Sequence, residues 1–197
     1  MATSIIKTDE IRRLNDQVVM SDGALTSNVV FPAGHVIQVI YNQKTDREAL
    51  STSTGYTSIP GTDQDGAGSI FSAHITPTAT SSKILVQVNW GGAGSAYMFN
   101  TRLYRDSVEI GSGDTIGSRT GAWMQTGDKE GFTNIEFKNN SNSYLDSPNS
   151  TSKLVYSVKV WDSRDSGTVY INRMQYDTDD AAMVTSTSSI VLMEIAG

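Results

Sequence analysis

Three stretches of the chain alternate apolar and polar side chains with a period of two, and this limits the fold more than any other feature. "KLVYSVKVWD" sets Leu154, Tyr156, Val158 and Val160 against Lys153, Ser157 and Lys159. "KILVQVNW" sets Ile84, Val86, Val88 and Trp90 against Leu85, Gln87 and Asn89, and "FPAGHVIQVIYNQ" sets His35, Ile37, Val39 and Tyr41 against Val36, Gln38 and Ile40. Successive side chains of a strand point to opposite faces, so each stretch offers an apolar face to a core. "SIFSAHI", "AYMFNTRLYRD", "SVEIG", "GAWMQ", "FTNIEFK" and "TVYINRM" add shorter segments bounded by Gly, Asn, Asp or Pro. About ten strands are predicted beyond residue 33, spaced by roughly 10–15 residues with no amphipathic helix between them, which is the pattern of an antiparallel sandwich.

Composition supports that choice. The hydrophobic fraction is 38% and the charged fraction 18%. Ser, Thr, Asn and Gly make up the balance, and their side chains compete with a helical backbone for hydrogen bonds. Hairpins are predicted around Arg105 to Ser107 and around Ser163 to Gly167, while "KTDREALSTSTG" and "TGDKEGF" read as exposed loops. No repeat of fixed period is present, so solenoids and propellers drop out.

The first 33 residues read as a separate arm. "TDEIRRLND" suits a helical turn capped by Thr8 as well as a short extended segment, and "VVMSDGALTSNVVF" carries two short apolar runs about a Ser-Asp-Gly turn. Neither run can form its own core. Ile6, Ile11, Leu14, Val18 and Val19 are the residues of the arm expected to lie against another surface. Residues 34–197 are then expected to form the sandwich.

Several function classes recede. The net charge of −6 is spread along the chain, and no basic block tracks a phosphate backbone, so nucleic acid is not an expected partner. No segment approaches the roughly 18 apolar residues of a membrane span, and "MATSIIKTDE" brings charges where a signal peptide needs its apolar stretch. With no cysteine there is no disulfide or thiolate metal site, so durability must come from burial or assembly.

Catalytic patterns are missing too. His35 and His74 each fall inside a predicted strand and read as half-buried framework residues. Ser95 in "GGAGSAY" lacks the strand-to-helix elbow of a nucleophilic serine. No two carboxylates stand out as a glycosidase pair. Asp63 and Asp65 in "TDQDGAGS", and Asp177, Asp179 and Asp180 in "YDTDDA", superficially resemble calcium loops; the first lacks a third alternating ligand and a closing glutamate, both read as exposed Asx-rich loops with a weak hard-cation site in "DTDD" as the alternative, and no metal and no cofactor is expected. Trp123 in "GAWMQ" and Tyr144 in "NNSNSYLD" sit beside loops, and they are the candidate glycan-stacking aromatics of a carbohydrate-binding reading.

The last ten residues, "SSIVLMEIAG", are apolar on both faces, with Val191, Met193 and Ile195 on one and Ile190, Leu192 and Glu194 on the other. A strand apolar on both sides belongs inside a sheet, with its second face covered by another subunit. Ile190, Leu192 and Glu194 are the residues expected at a subunit interface, with Glu194 needing a partner there.

The succession "VVFPAGHVIQVIYNQ", "SIFSAHITPTATSSKILVQVNWG", "TRLYRDSVEIGSGD", "YLDSPNSTSKLVYSVKVWDSRDSGTVYINR" and "SSIVLMEIAG" resembles tail-fibre-like and appendage proteins of marine and freshwater bacteriophages, the cyanophage type included. The resemblance runs from about residue 29 to 197. It implies a non-enzymatic virion protein made in the host cytoplasm and carried on the particle surface. It further implies a homotrimeric knob similar to tumour-necrosis-factor-like jelly rolls, anchored by its N-terminal arm to capsid or tail proteins and serving capsid stabilisation or host adsorption; the alternative is the carbohydrate-binding module, with a host surface glycan as its partner. The absence of a long repetitive shaft suits a capsid decoration or head fibre at least as well as a tail fibre.

Overall fold

The computed structural model describes residues 10–12, 18–21, 24–25, 31–94, 98–127, 137–162, 167–181, 183 and 185–197. Among the described residues there are strands and no helix. In chain order they are β1 (Glu10–Arg12), β2 (Val18–Ser21), β3 (Ala24–Leu25), β4 (Val36–Lys44), β5 (Glu48–Ser51), β6 (Thr57–Ser58), β7 (Ser72–Ile75) and β8 (Lys83–Gly94). They continue with β9 (Met98–Arg105), β10 (Val108–Ile110), β11 (Met124–Gly127), β12 (Lys138–Asp146), β13 (Leu154–Asp162), β14 (Thr168–Ile171) and β15 (Ser188–Ile195).

Two antiparallel sheets form the sandwich. In the first, β8 is flanked on one side by β15 and then β14, placed end to end, and on the other by β12; β4 and β5 lie beyond β15 and β14. In the second, β9 pairs with β13 on one side and with β10 and β11 on the other, and β13 carries β7 and β6 on its far side. The sandwich reading is thus met.

The period-two pattern explains the core. Ile84, Val86, Val88 and Trp90 of β8 share one buried cluster with Leu154, Tyr156, Val158 and Val160 of β13 and with Phe99 and Leu103 of the neighbouring β9. The Trp90 ring packs 5.0 Å from that of Phe99, and its indole N–H donates to Thr101 Oγ1 at 3.2 Å, which satisfies the donor that burial strips of water. Glycine is required where β8 passes from β15 to β14: a Cβ on Gly92 would come within 1.9 Å of the Tyr170 carbonyl oxygen.

The strand β15 lies inside its sheet between β4 and β8, as its two apolar faces imply. The hairpin at Arg105 to Ser107 forms with Val108 opposite Arg105, and Asp106 takes φ 53°, a left-handed geometry that Asp tolerates.

Three local expectations are corrected. "WDSRDSGTVY" is a crossing between sheets, because β13 belongs to the second and β14 to the first. Thr52 fixes this crossing: its hydroxyl donates to the Gly167 carbonyl at 3.0 Å and accepts the Asp162 N–H at 3.1 Å, both buried. The loop "KTDREALSTSTG" contains β5, and the polar run around Asn142 is the nine-residue strand β12. His35 precedes β4 and is exposed. In the arm, β1, β2 and β3 form an antiparallel meander that pairs Ile11 with Met20 and Met20 with Leu25, so the extended alternative prevails over the helical one there. Ile11, Val18 and Val19 lie on β1 and β2, while Ile6 and Leu14 fall outside the described residues.

Candidate interaction surfaces

The outer face of the first sheet is built by register. Three cross-strand rows span four strands: Val39, Met193, Leu85 and Leu145; then Tyr41, Val191, Gln87 and Ser143; then Gln43, Ser189, Asn89 and Ser141. None of these twelve side chains carries a charge. The first row is apolar from edge to edge, and Val39, Tyr41 and Leu145 are 54%, 54% and 50% exposed. The polar end opens into a shallow hollow of about 480 Å³ lined by Gln87, Asn89, Ser141, Ser143 and Ser189.

Ile190, Leu192 and Glu194 lie on the opposite side of β15. Each is 0% exposed within the single chain, with Ile190 and Leu192 in the sandwich core. Side chains already covered by their own chain have no surface left for another, so the face available to a partner is that of Val191 and Met193. Glu194 finds its partners locally: Thr78 donates its backbone N–H and its hydroxyl to Oε1, both at 2.7 Å, and Gln38 Nε2 donates to Oε2 at 2.6 Å. Burial pushes this carboxyl's pKa up, and the donated hydrogen bonds outweigh it, holding the group below the usual carboxylate range.

The outer face of the second sheet carries a cleft of about 540 Å³. Tyr56, Asn100, Gln125 and Trp161 form its floor, and the loop from Gly113 to Trp123 forms its wall, with Asp114 and Arg119 exposed on it. Arg102 ties floor to wall. Its guanidinium lies 4.1 Å over the Tyr56 ring, pairs with Glu109 at 2.9 Å and donates to the Gly121 carbonyl at 3.1 and 3.3 Å. Tyr56 and Trp161 pack with ring centroids 5.5 Å apart, and Gln125 Nε2 donates to Asn100 Oδ1 at 3.0 Å. Burial raises the Tyr56 hydroxyl above its ordinary pKa against the opposing pull of Arg102, so it stays a neutral donor at physiological pH.

Trp123 belongs to this wall but is only 7% exposed, and Tyr144 packs partly buried against the core. The accessible aromatic is Trp161, whose signal was present in the sequence: alternation in "KLVYSVKVWD" puts it on the polar face with Lys159. Tyr56 had no such signal, because it sits in a loop before the two-residue β6.

No family model matches the chain, and no curated protein matches it. Among solved structures it is similar to the crystal structure of the infectious bursal disease virus VP2 subviral particle, with 14% identity and a TM-score of 0.36 over 98% of this chain and 41% of that one. The T=1 particles of a VP2 point mutant of the same virus give 10% identity and a TM-score of 0.36 over 100% of this chain and 44% of that one. The Gx strain of the virus gives 11% and 0.34, over 88% and 40%. The chain therefore spans less than half the length of these proteins. A likeness this distant assigns neither activity nor partner.

Among the described residues, Asp63, Asp65 and His74 present ligand atoms within 4.8 Å of one another. The carboxylates already face the two imidazole nitrogens, at 3.5 Å from Nδ1 and 3.2 Å from Nε2. The Asp63 Oδ1 accepts the N–H groups of Ala67 and Asp65, and these bonds, the first above all, hold its carboxyl below the usual range. The group latches a loop onto β7. Asp177 is likewise occupied, by a two-pronged contact from Arg47 at 2.8 and 2.9 Å. Ser95 lies outside the described residues. Among those described, no helix is long and apolar enough to cross a membrane.

Proposed function

We propose that the chain is a non-enzymatic structural module of a bacteriophage particle: a homotrimeric surface appendage, either capsid decoration, head fibre or short tail fibre, anchored by residues 1–33. The observation that carries the assembly part is the uncharged patch of three cross-strand rows on the outer face of the first sheet, bordered by Lys83. Copies with a net charge of −6 repel one another, and an uncharged patch is where they approach at least electrostatic cost. Its apolar row supplies the attraction, at about 25 cal/mol per Å² of apolar surface removed from water. The bacteriophage setting rests on the sequence phrases quoted above.

Met193→Glu tests the assembly face. Light scattering is expected to give three times the 21.3 kDa chain mass for the parent and the monomer mass for the variant, with unchanged circular dichroism. A monomeric parent, or a variant that still trimerises, removes this face as the interface. Leu192→Glu tests something else, since it buries a charge in the core and is expected to yield insoluble chains whatever the assembly.

The anchor has its own test. Among the residues whose burial is described, from Phe31 on, the hydrophobic cluster and the side chains packed on it begin at Ile40, and deletion of residues 1–28 is expected to leave a folded, soluble sandwich that no longer joins virions. Recovery of the truncated chain on purified particles would show that the anchor lies elsewhere.

A further inference from the structure

The cleft on the second sheet is built from side chains of three strands and of neighbouring loops, and its chemistry is selective. Its floor is a cross-strand row, Gln125 on β11, Asn100 on β9 and Trp161 on β13, so side chains on the face of the sheet are what a ligand meets there. Its one inner cation, Arg102, is engaged by Glu109, the Gly121 carbonyl and the Tyr56 ring, and the rim charges Asp114 and Arg119 are of opposite sign. At the floor of the cleft, then, the guanidinium of Arg102 is already shared among several partners. The lining alternates aromatic surface (Tyr56, Trp161) with neutral hydrogen-bonding groups (Asn100, Gln125, Thr120), and its volume of about 540 Å³ lies in the ordinary range for small-ligand sites.

Sugar rings present the same two characters, a face of C–H groups and a periphery of hydroxyls. We propose that this cleft binds a neutral oligosaccharide, with Trp161 as the stacking surface and Gln125, Asn100 and Asp114 as hydrogen-bonding partners of its hydroxyls. The proposal rests on the surface-appendage reading above and gives that appendage a ligand. Arg102 is a positioning residue: it fixes the Tyr56 ring and the Gly121 segment before ligand arrives, so less ordering remains to be done on binding. The cleft and the uncharged face lie on opposite layers of the sandwich, which leaves the cleft open in an assembly made through the first sheet.

The test uses the whole chain and its own fluorescence. Of its three tryptophans, Trp90 is 0% and Trp123 7% exposed, so a saccharide-induced change in emission reports chiefly on Trp161. The probes are soluble neutral trisaccharides of glucose, galactose and N-acetylglucosamine, with sialyl-lactose as the acidic control. At least one neutral probe is expected to change the emission saturably. Trp161→Ala is expected to weaken binding, read by calorimetry, about tenfold or more, and Gln125→Ala about threefold to tenfold. Trp161→Phe keeps a stacking surface and is expected to retain binding while losing most of the emission change, which guards against a fold defect in the alanine variant. The proposal is overturned if no neutral probe binds at millimolar concentration, if sialyl-lactose alone binds, or if Trp161→Ala and Gln125→Ala both bind as the parent does. Trimer mass in the same samples shows separately whether the assembly reading stands.

Discussion

Glu194→Gln is expected to destabilise the protein by about 2–4 kcal/mol at neutral pH, because it replaces a buried acceptor of charge-assisted hydrogen bonds with an amide that must turn a donor toward other donors. The carboxylate is 0% exposed and is met by Thr78 on one oxygen and Gln38 on the other. Neither end of a glutamine amide suits both sites. The contact also joins distant parts of the chain, since Gln38 belongs to β4, Glu194 to β15 and Thr78 to the segment between β7 and β8. A carboxyl whose folded-state pKa lies below its unfolded value contributes stability that is present above the unfolded value, about 4.3, and lost as the pH falls through the folded one. Urea denaturation at pH 7 and at successive steps below pH 4.5 should therefore show the parent and Glu194→Gln converging as the solution becomes more acid. A difference that stays constant across that range would mean that the charge is not what holds these segments together.

What the sequence made legible, and what it hid, follows from where each residue's partners come from. Alternation is a local property, so the inward faces of β8 and β13 and the interior place of β15 were readable in advance. The role of Glu194 was not, because its partners lie 116 and 156 residues away and are neutral, which no charge pattern records. With no visible partner in sequence, the strand's apolar-plus-Glu face looked like an interface when it was in fact the core side. The strand β12 was hidden for the opposite reason. "KNNSNSYLD" has low strand propensity, and long pairing with β8 overrides it. The cleft was half legible: Trp161 stood out on a polar strand face, whereas Tyr56 and the loop around Gly121 are brought there by Arg102 from segments unrelated in sequence.

Asp146→Ala carries the second large expected effect, about 3 kcal/mol of destabilisation, because it breaks a largely buried ion pair at one side only. Asp146 ends β12 in the first sheet. Arg105 of β9 and Tyr156 of β13, both in the second, converge on it: Arg105 Nη1 lies 2.8 and 2.7 Å from its two oxygens and the Tyr156 hydroxyl donates at 2.7 Å. The contact is a polar tie across the sandwich, and burial together with the hydrogen bond to Asp146 keeps the Tyr156 hydroxyl protonated well above its ordinary pKa. Removing the carboxylate leaves a phenolic hydroxyl and a guanidinium without acceptors at the margin of an apolar core. The Arg105 side chain is 24% exposed and recovers some hydration, which keeps the expected loss at the lower end of the usual range for such pairs. Tyr156→Phe removes only a donor and is expected to cost about 1 kcal/mol. Urea denaturation of the two single variants and the double variant should give a double-variant loss smaller than the sum, since Tyr156→Phe has nothing left to break once Asp146 is gone. Additive losses would mean that the two side chains act independently and that the sandwich is closed at this end by apolar packing alone.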